Sequence, residues 1–159
     1  MIILVEGLFM GALLLGYMAV EIRKGAHQMA FVYHEDVQAR CFEKGLITPE
    51  ELVKSRRRFH IFFLLFMVLS CFLVYGCNGA RLSEGFFQLF FILSVVNLVD
   101  RILIDEVWVG HTKAWEIPGT EDLKPNINGK DRLMKWLFGT VGFFLFSLLV
   151  SSLMGLILG

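Results

Sequence analysis

Between positions 97 and 115 the chain gathers most of its chemistry-bearing side chains inside an otherwise apolar stretch: Asn97, Asp100, Arg101, Asp105, Trp108, His111, Lys113 and Trp115. Carboxylates and an imidazole can exchange protons with a substrate once burial moves their pKa values toward neutrality. Asp100, Asp105 and His111 are therefore the candidate acid–base or metal-binding groups. Arg101 and Lys113 would hold an anionic group, Asn97 would add a polar contact, and Trp108 and Trp115 would line an entrance. On an α-helix at about 100° per residue, Asn97, Asp100, Arg101, Ile104, Asp105, Trp108 and His111 fall within an arc of about 140°, with Glu106 opposite. Arg101 and Asp105 stand four apart and can pair. Two readings of this face compete. One is a substrate or ion site facing the interior of a bundle. The other is structural: a network tying this helix to its neighbours, or an amphipathic helix end at the water interface.

Other reactive residues are more scattered. His27 and His34 share a helix face but lie about 10 Å apart along it, too far to hold one ion as neighbours. Arg56-Arg57-Arg58 suits lipid phosphates or, alternatively, an anionic substrate. Cys41, Cys71 and Cys77 form no C-x-x-C motif and read as free apolar cysteines, so no thiol relay is expected. Phosphate-binding loops, dinucleotide fingerprints, zincin motifs and nucleophile elbows are absent from the sequence. No cofactor and no metal site is assigned.

The elements that must position these residues are four apolar stretches, about 2–20, 59–77, 86–107 and 133–158, each close to the roughly 20 residues that cross a bilayer. The composition agrees. Of 159 residues 56% are hydrophobic and 19% charged, with 16 Phe, which excludes a disordered chain and exceeds what one small soluble core can hide. The expected fold is an all-α integral membrane four-helix bundle forming a single domain over 1–159. A net charge of zero gives no hint of a nucleic-acid partner. The opening Met1-Ile-Ile-Leu-Val-Glu6 lacks the basic stretch of a signal peptide, so 1–20 is expected to stay as a membrane helix. Among the basic residues, eight lie in 21–58, one is Arg81, and six lie in 101–135. The positive-inside rule then places the loops 21–58 and 108–132 in the cytoplasm of a multi-pass cell-membrane protein, with both termini outside.

Within 21–44 there is no Pro and one Gly, Gly25, so the first span is expected to continue as a helix to a stop near Gly45. Thr48-Pro49-Glu50-Glu51 reads as an N-cap, a first-turn proline and a capping box. The second helix is expected to start near Pro49 and run to about Tyr75. The first two helices would thus project as a cytoplasmic hairpin. Pro118-Gly119 and Asn128-Gly129 mark turns in the long second loop. Gly7-x-x-x-Gly11 is a close-packing pattern. Glu6 would snorkel, pair with Arg81 or gate a pathway.

Asn97-Leu98-Val99-Asp100-Arg101 resembles the Asn-Leu-x-Asp-Arg run of lipoprotein signal peptidases, small four-span enzymes with two catalytic aspartates. That family's second aspartate lies in a separate, later segment. Here Asp105 follows in the same helix, and the expected orientation puts Asp100 on the opposite side of the membrane. The overall plan is similar to membrane-associated eicosanoid and glutathione metabolism proteins, in which arginines bind the glutathione carboxylates. That resemblance implies such a part for Arg56, Arg57, Arg58 and Arg101, though the family's second-helix Arg, Asn and Glu pattern is missing. Three functions follow. The first is a membrane-embedded enzyme acting on a lipid or amphipathic small molecule. The second is a transporter or channel subunit, with Glu6, Asn97, Asp100 and Arg101 marking a polar path. The third is a helical partner in a larger complex. Membrane lipids are expected partners, and a homo-oligomer is expected because four helices leave little room for an enclosed site.

Overall fold

A computed structural model describes residues 1–123 and 129–158, and they are all-helical. The Asn128-Gly129 turn expected from the sequence falls partly outside the described residues. Four helices are long and apolar enough to cross a membrane: Ile2–Arg23, Pro49–Cys77, Leu82–Val109 and Gly129–Ile157. They correspond to the four apolar stretches. We name α1 (Ile2–Arg23), α2 (Glu35–Glu43), α3 (Pro49–Cys71), α4 (Leu82–Leu98) and α5 (Gly129–Leu158). Both α3 and α4 continue in the wider π winding, over Phe72–Cys77 and Val99–Val109 respectively. Apolar side chains cover the outside as well as the inside. Leu4, Leu8, Leu64, Leu65, Leu145 and Leu149 are all exposed, as expected of helices solvated by lipid.

At the centre stands α4, packed against α1 on one side and α5 on the other. Glycine makes the first contact close. A β-carbon at Gly7 would come within 2.8 Å of Val95 Cβ, and one at Gly11 within 2.8 Å of Val99 Cγ2. The paired advance from Gly7–Val95 to Gly11–Val99 makes α1 and α4 parallel, and it realises the close-packing pattern. Met10, Leu89, Ile92 and Leu93 are fully buried. Phe144 of α5 packs edge-on to Phe86 and Phe90 of α4, with ring centroids 5.4 and 5.7 Å apart.

The first loop corrects one expectation. The first helix does not run on to Gly45; it ends at Arg23, and Gly25 adopts φ 113°, ψ 138°. A 3₁₀ segment, Ala26–Val32, follows, and only then α2. Its residues Ala26, Met29 and Ala30 are buried. The segment therefore folds back onto α1 and α3. One buried carboxylate secures the fold-back. Glu21, 4% exposed, accepts from Lys24 Nζ at 2.6 Å and Arg58 Nη2 at 3.2 Å, and Arg58 also reaches Ser55 Oγ at 3.1 Å. All three arginines are exposed, and Arg58 is the one whose guanidinium reaches the buried Glu21. The start of α3 is as read from the sequence. Thr48 Oγ1 accepts from Glu51 N at 3.2 Å, and Glu51 Oε2 accepts from Thr48 N at 2.9 Å.

Candidate functional site

The residues Asp100, Arg101 and Asp105 lie in the π-wound end of the third span, not in an α-helix. That winding matters to their geometry. At about 100° per residue, Asp100 and Asp105 would point about 140° apart. In a π-helix, residues five apart are the hydrogen-bonded neighbours, so the two carboxylates swing toward one side. Arg101 is ion-paired with both. From α5, Lys135 Nζ donates to Asp105 Oδ1 at 3.2 Å and Oδ2 at 3.3 Å. The Arg101 and Asp105 side chains are 13% and 12% exposed. Arg101 Nε is buried without a hydrogen-bond partner among the described residues. One turn before, Asn97 Nδ2 reaches Thr140 Oγ1 at 3.5 Å.

Three of these four, Asp100, Arg101 and Lys135, form the polar end of a cavity of about 730 Å³, within the range of small-molecule sites. Asn97, Asp100, Arg101 and Lys135 stand at that end. Leu14 and Met18 of α1 line the rest of the wall. Phe59, Phe63 and Phe66 of α3 face Phe138, Phe143 and Phe146 of α5 across it. A smaller cavity of about 200 Å³ adjoins, sharing Tyr33, Asp100, Arg101 and Lys135 and adding Asp105 and Trp115.

Two further residues complete the mouth, and the sequence reading did not assign them. His34 Nε2 lies 3.0 Å from Asp131 Oδ2, and both line the larger cavity. His34 sits at the N-cap of α2, a position created by the break after Arg23; a helix running through 21–44 would have placed it elsewhere. Lys135 carried a visible signal, being the only charge in the stretch 133–158.

Loop residues 110–123 dock beside this mouth. Tyr33 Oη donates to the Trp115 carbonyl at 2.5 Å, and burial raises the Tyr33 phenol above its ordinary pKa. Arg40 donates to Asp122 Oδ1 and Oδ2 at 3.1 and 3.2 Å and to the Gly119 carbonyl at 3.3 Å. The Arg40 guanidinium holds the Asp122 carboxyl below its usual range. Trp115 is 4% exposed and forms a packed wall of the smaller cavity. Trp108 packs edge-on to it at 5.5 Å and lines neither cavity. His111 and Lys113 are exposed and also line neither; His111 Nδ1 is 2.7 Å from the Glu106 carbonyl oxygen. The single α-helical face thus divides. Asn97, Asp100, Arg101 and Asp105 converge with Trp115, while Trp108, His111 and Lys113 stay outside.

At the far end of the bundle, Asn78 Nδ2 donates to Glu6 Oε2 at 3.1 Å and to Gln88 Oε1 at 3.0 Å. Glu6 thus has Asn78 as its partner there. Between this group and Asp100 lie the fully buried Met10, Leu89, Ile92 and Leu93. Among the described residues, no three His, Cys, Asp or Glu are grouped to hold a metal ion.

Comparison of the chain with known protein families, curated proteins and solved structures finds no match.

Proposed function

We propose that this is a multi-pass membrane protein that binds a lipid or amphipathic small molecule and acts on its polar end as a membrane-embedded enzyme. One observation carries the reading: a cavity walled by phenylalanines from α3 and α5 ends on Asp100, Arg101 and Lys135, which Asp105 ties together from the adjoining smaller cavity. The apolar wall suits a tail, and the charged end suits a head. Asp100 is the group placed to take or give a proton there, with Asp105 behind it on the adjoining smaller cavity. Arg101, Asn97 and Lys135 position the head. The transporter reading loses support from the fully buried apolar side chains between Glu6 and Asp100. The proposal keeps the loop end of the bundle in the cytoplasm and both termini outside.

A ligand-stabilisation screen of single-chain amphipaths in detergent tests this reading. Wild type, Asp100→Ala and Lys113→Ala are compared. At least one amphipath is expected to raise the melting temperature of wild type and Lys113→Ala, and to raise that of Asp100→Ala less. Identical responses of all three variants to every amphipath would sink the proposal.

A further inference from the structure

We propose that the ligand of the cavity is a bilayer lipid whose headgroup carries no net charge, admitted sideways from the membrane between α3 and α5. This rests on the amphipath reading above and narrows it. Three features support it.

The first is charge. Asp100 and Asp131 on the cavity wall stand against Arg101 and Lys135, with His34 held to Asp131. Both cations are already engaged, Arg101 by Asp100 and Asp105, and Lys135 by Asp105. A net-anionic head would have to draw one of them away and leave a carboxylate uncompensated in a poorly hydrated site, which is costly. A zwitterionic or uncharged head avoids that cost.

The second is the unpartnered donor. Arg101 Nε is buried and has no acceptor among the described residues. Arg101 itself lines the cavity, so a small shift of the guanidinium would bring Nε to an uncharged oxygen, such as the ester carbonyl of a glycerolipid, without adding charge.

The third is the route. Phe63, Met134 and Phe138 line the cavity yet are 38%, 38% and 68% exposed, so the wall is open between α3 and α5. Both ends of this gap are clasped. Tyr75 and Ser151 hydroxyls meet at 2.6 Å toward the termini, and His34 meets Asp131 at 3.0 Å at the loop end. The opening therefore lies along the spanning part of the helices, where lipid tails are the solvent.

The full chain reconstituted in phosphatidylcholine vesicles provides the test. A trace of phosphatidylcholine, or of phosphatidylglycerol, carries the same photoactivatable acyl chain, and crosslinks are mapped by mass spectrometry. The expected result is crosslinking to peptides containing Phe63 and Phe138, at least several-fold stronger from phosphatidylcholine. Gly142 also lines the cavity, and a β-carbon there would meet no atom within 4 Å. Gly142→Leu should fill the space and lower that crosslink several-fold, leaving crosslinks at the outward Leu145 and Leu149 unchanged. Preference for phosphatidylglycerol, or cavity crosslinks indifferent to Gly142→Leu, overturns the inference. Absence of cavity crosslinks from both lipids, with single-chain amphipaths still stabilising the detergent-solubilised protein, overturns it while leaving the amphipath reading intact. No response in either assay overturns both.

Discussion

Arg101 compensates two carboxylates at once, so its removal should cost more than one contact. Among the described residues, Arg101→Met leaves the pair with Lys135, which reaches Asp105 alone. Loss of a buried partner of this kind costs about 3–5 kcal/mol. Adding Asp100→Asn should recover a substantial part, because one uncompensated charge disappears; denaturant unfolding in detergent measures both. Equal stability of the single and double variants would show that the two charges do not couple. Tyr33 gives a second prediction. Its phenol is buried and its folded pKa is raised, whereas the unfolded phenol ionises near pH 10. Below that pH the full stability is present. It is lost as pH rises toward the folded pKa, because only the unfolded state then releases the proton. Tyr33→Phe should cost about 1 kcal/mol near neutrality through the lost bond to the Trp115 carbonyl, and should flatten the alkaline fall in melting temperature. Residue types alone singled out Asn97, Asp100, Arg101 and Asp105. They did not single out His34, since a lone histidine acquires meaning only from the partner that tertiary structure brings to it; Lys135 stood out as the only charge in 133–158, but its pairing with Asp105 did not.

Helix ends were partly legible in the chain. Thr48-Pro49-Glu50-Glu51 is a complete local signal, because cap and reciprocal bond lie within four residues. Its disruption by Thr48→Ala should cost about 1 kcal/mol. Gly25 shows the limit of such reading. Between residues of good helix propensity a single glycine lowers a helix without ending it, and the break follows from burial of Ala26, Met29 and Ala30 beneath the fold-back. At φ 113° a β-carbon is strained, and here it would also run into the His27 ring. Gly25→Ala should therefore destabilise by about 1–3 kcal/mol, although a helix continuing through 21–44 would gain from the same change. The sign of the measured shift in melting temperature decides between the two backbones. The π winding over Val99–Val109 was equally hidden. A helical wheel assumes one period, and the change of period lets Arg101 hold both aspartates while Trp108, His111 and Lys113 stay outside.

At the scale of the whole molecule, a zero net charge conceals a strong division. The end bearing both termini has one basic residue, Arg81, and the loop end has the other fourteen. Hydropathy placed all four spans because helices facing lipid need apolar residues on every side. The cavity was not visible in that pattern, since phenylalanines facing lipid and phenylalanines facing the cavity have the same hydropathy. Charge asymmetry does make the orientation testable without adding a cysteine. Cys77 lies at the terminus-bearing end and is exposed, whereas Cys41 belongs to the loop end and is buried. If the basic end faces the cytoplasm, a membrane-impermeant maleimide applied to intact cells should label Cys77, and Cys77→Ser should abolish the labelling. Permeabilisation should add little, because Cys41 stays covered until the fold opens. Labelling of Cys77 only after permeabilisation would invert the topology. It would carry the Asp100–Arg101–Lys135 end of the cavity to the opposite leaflet, and with it the membrane face from which a lipid headgroup reaches these residues.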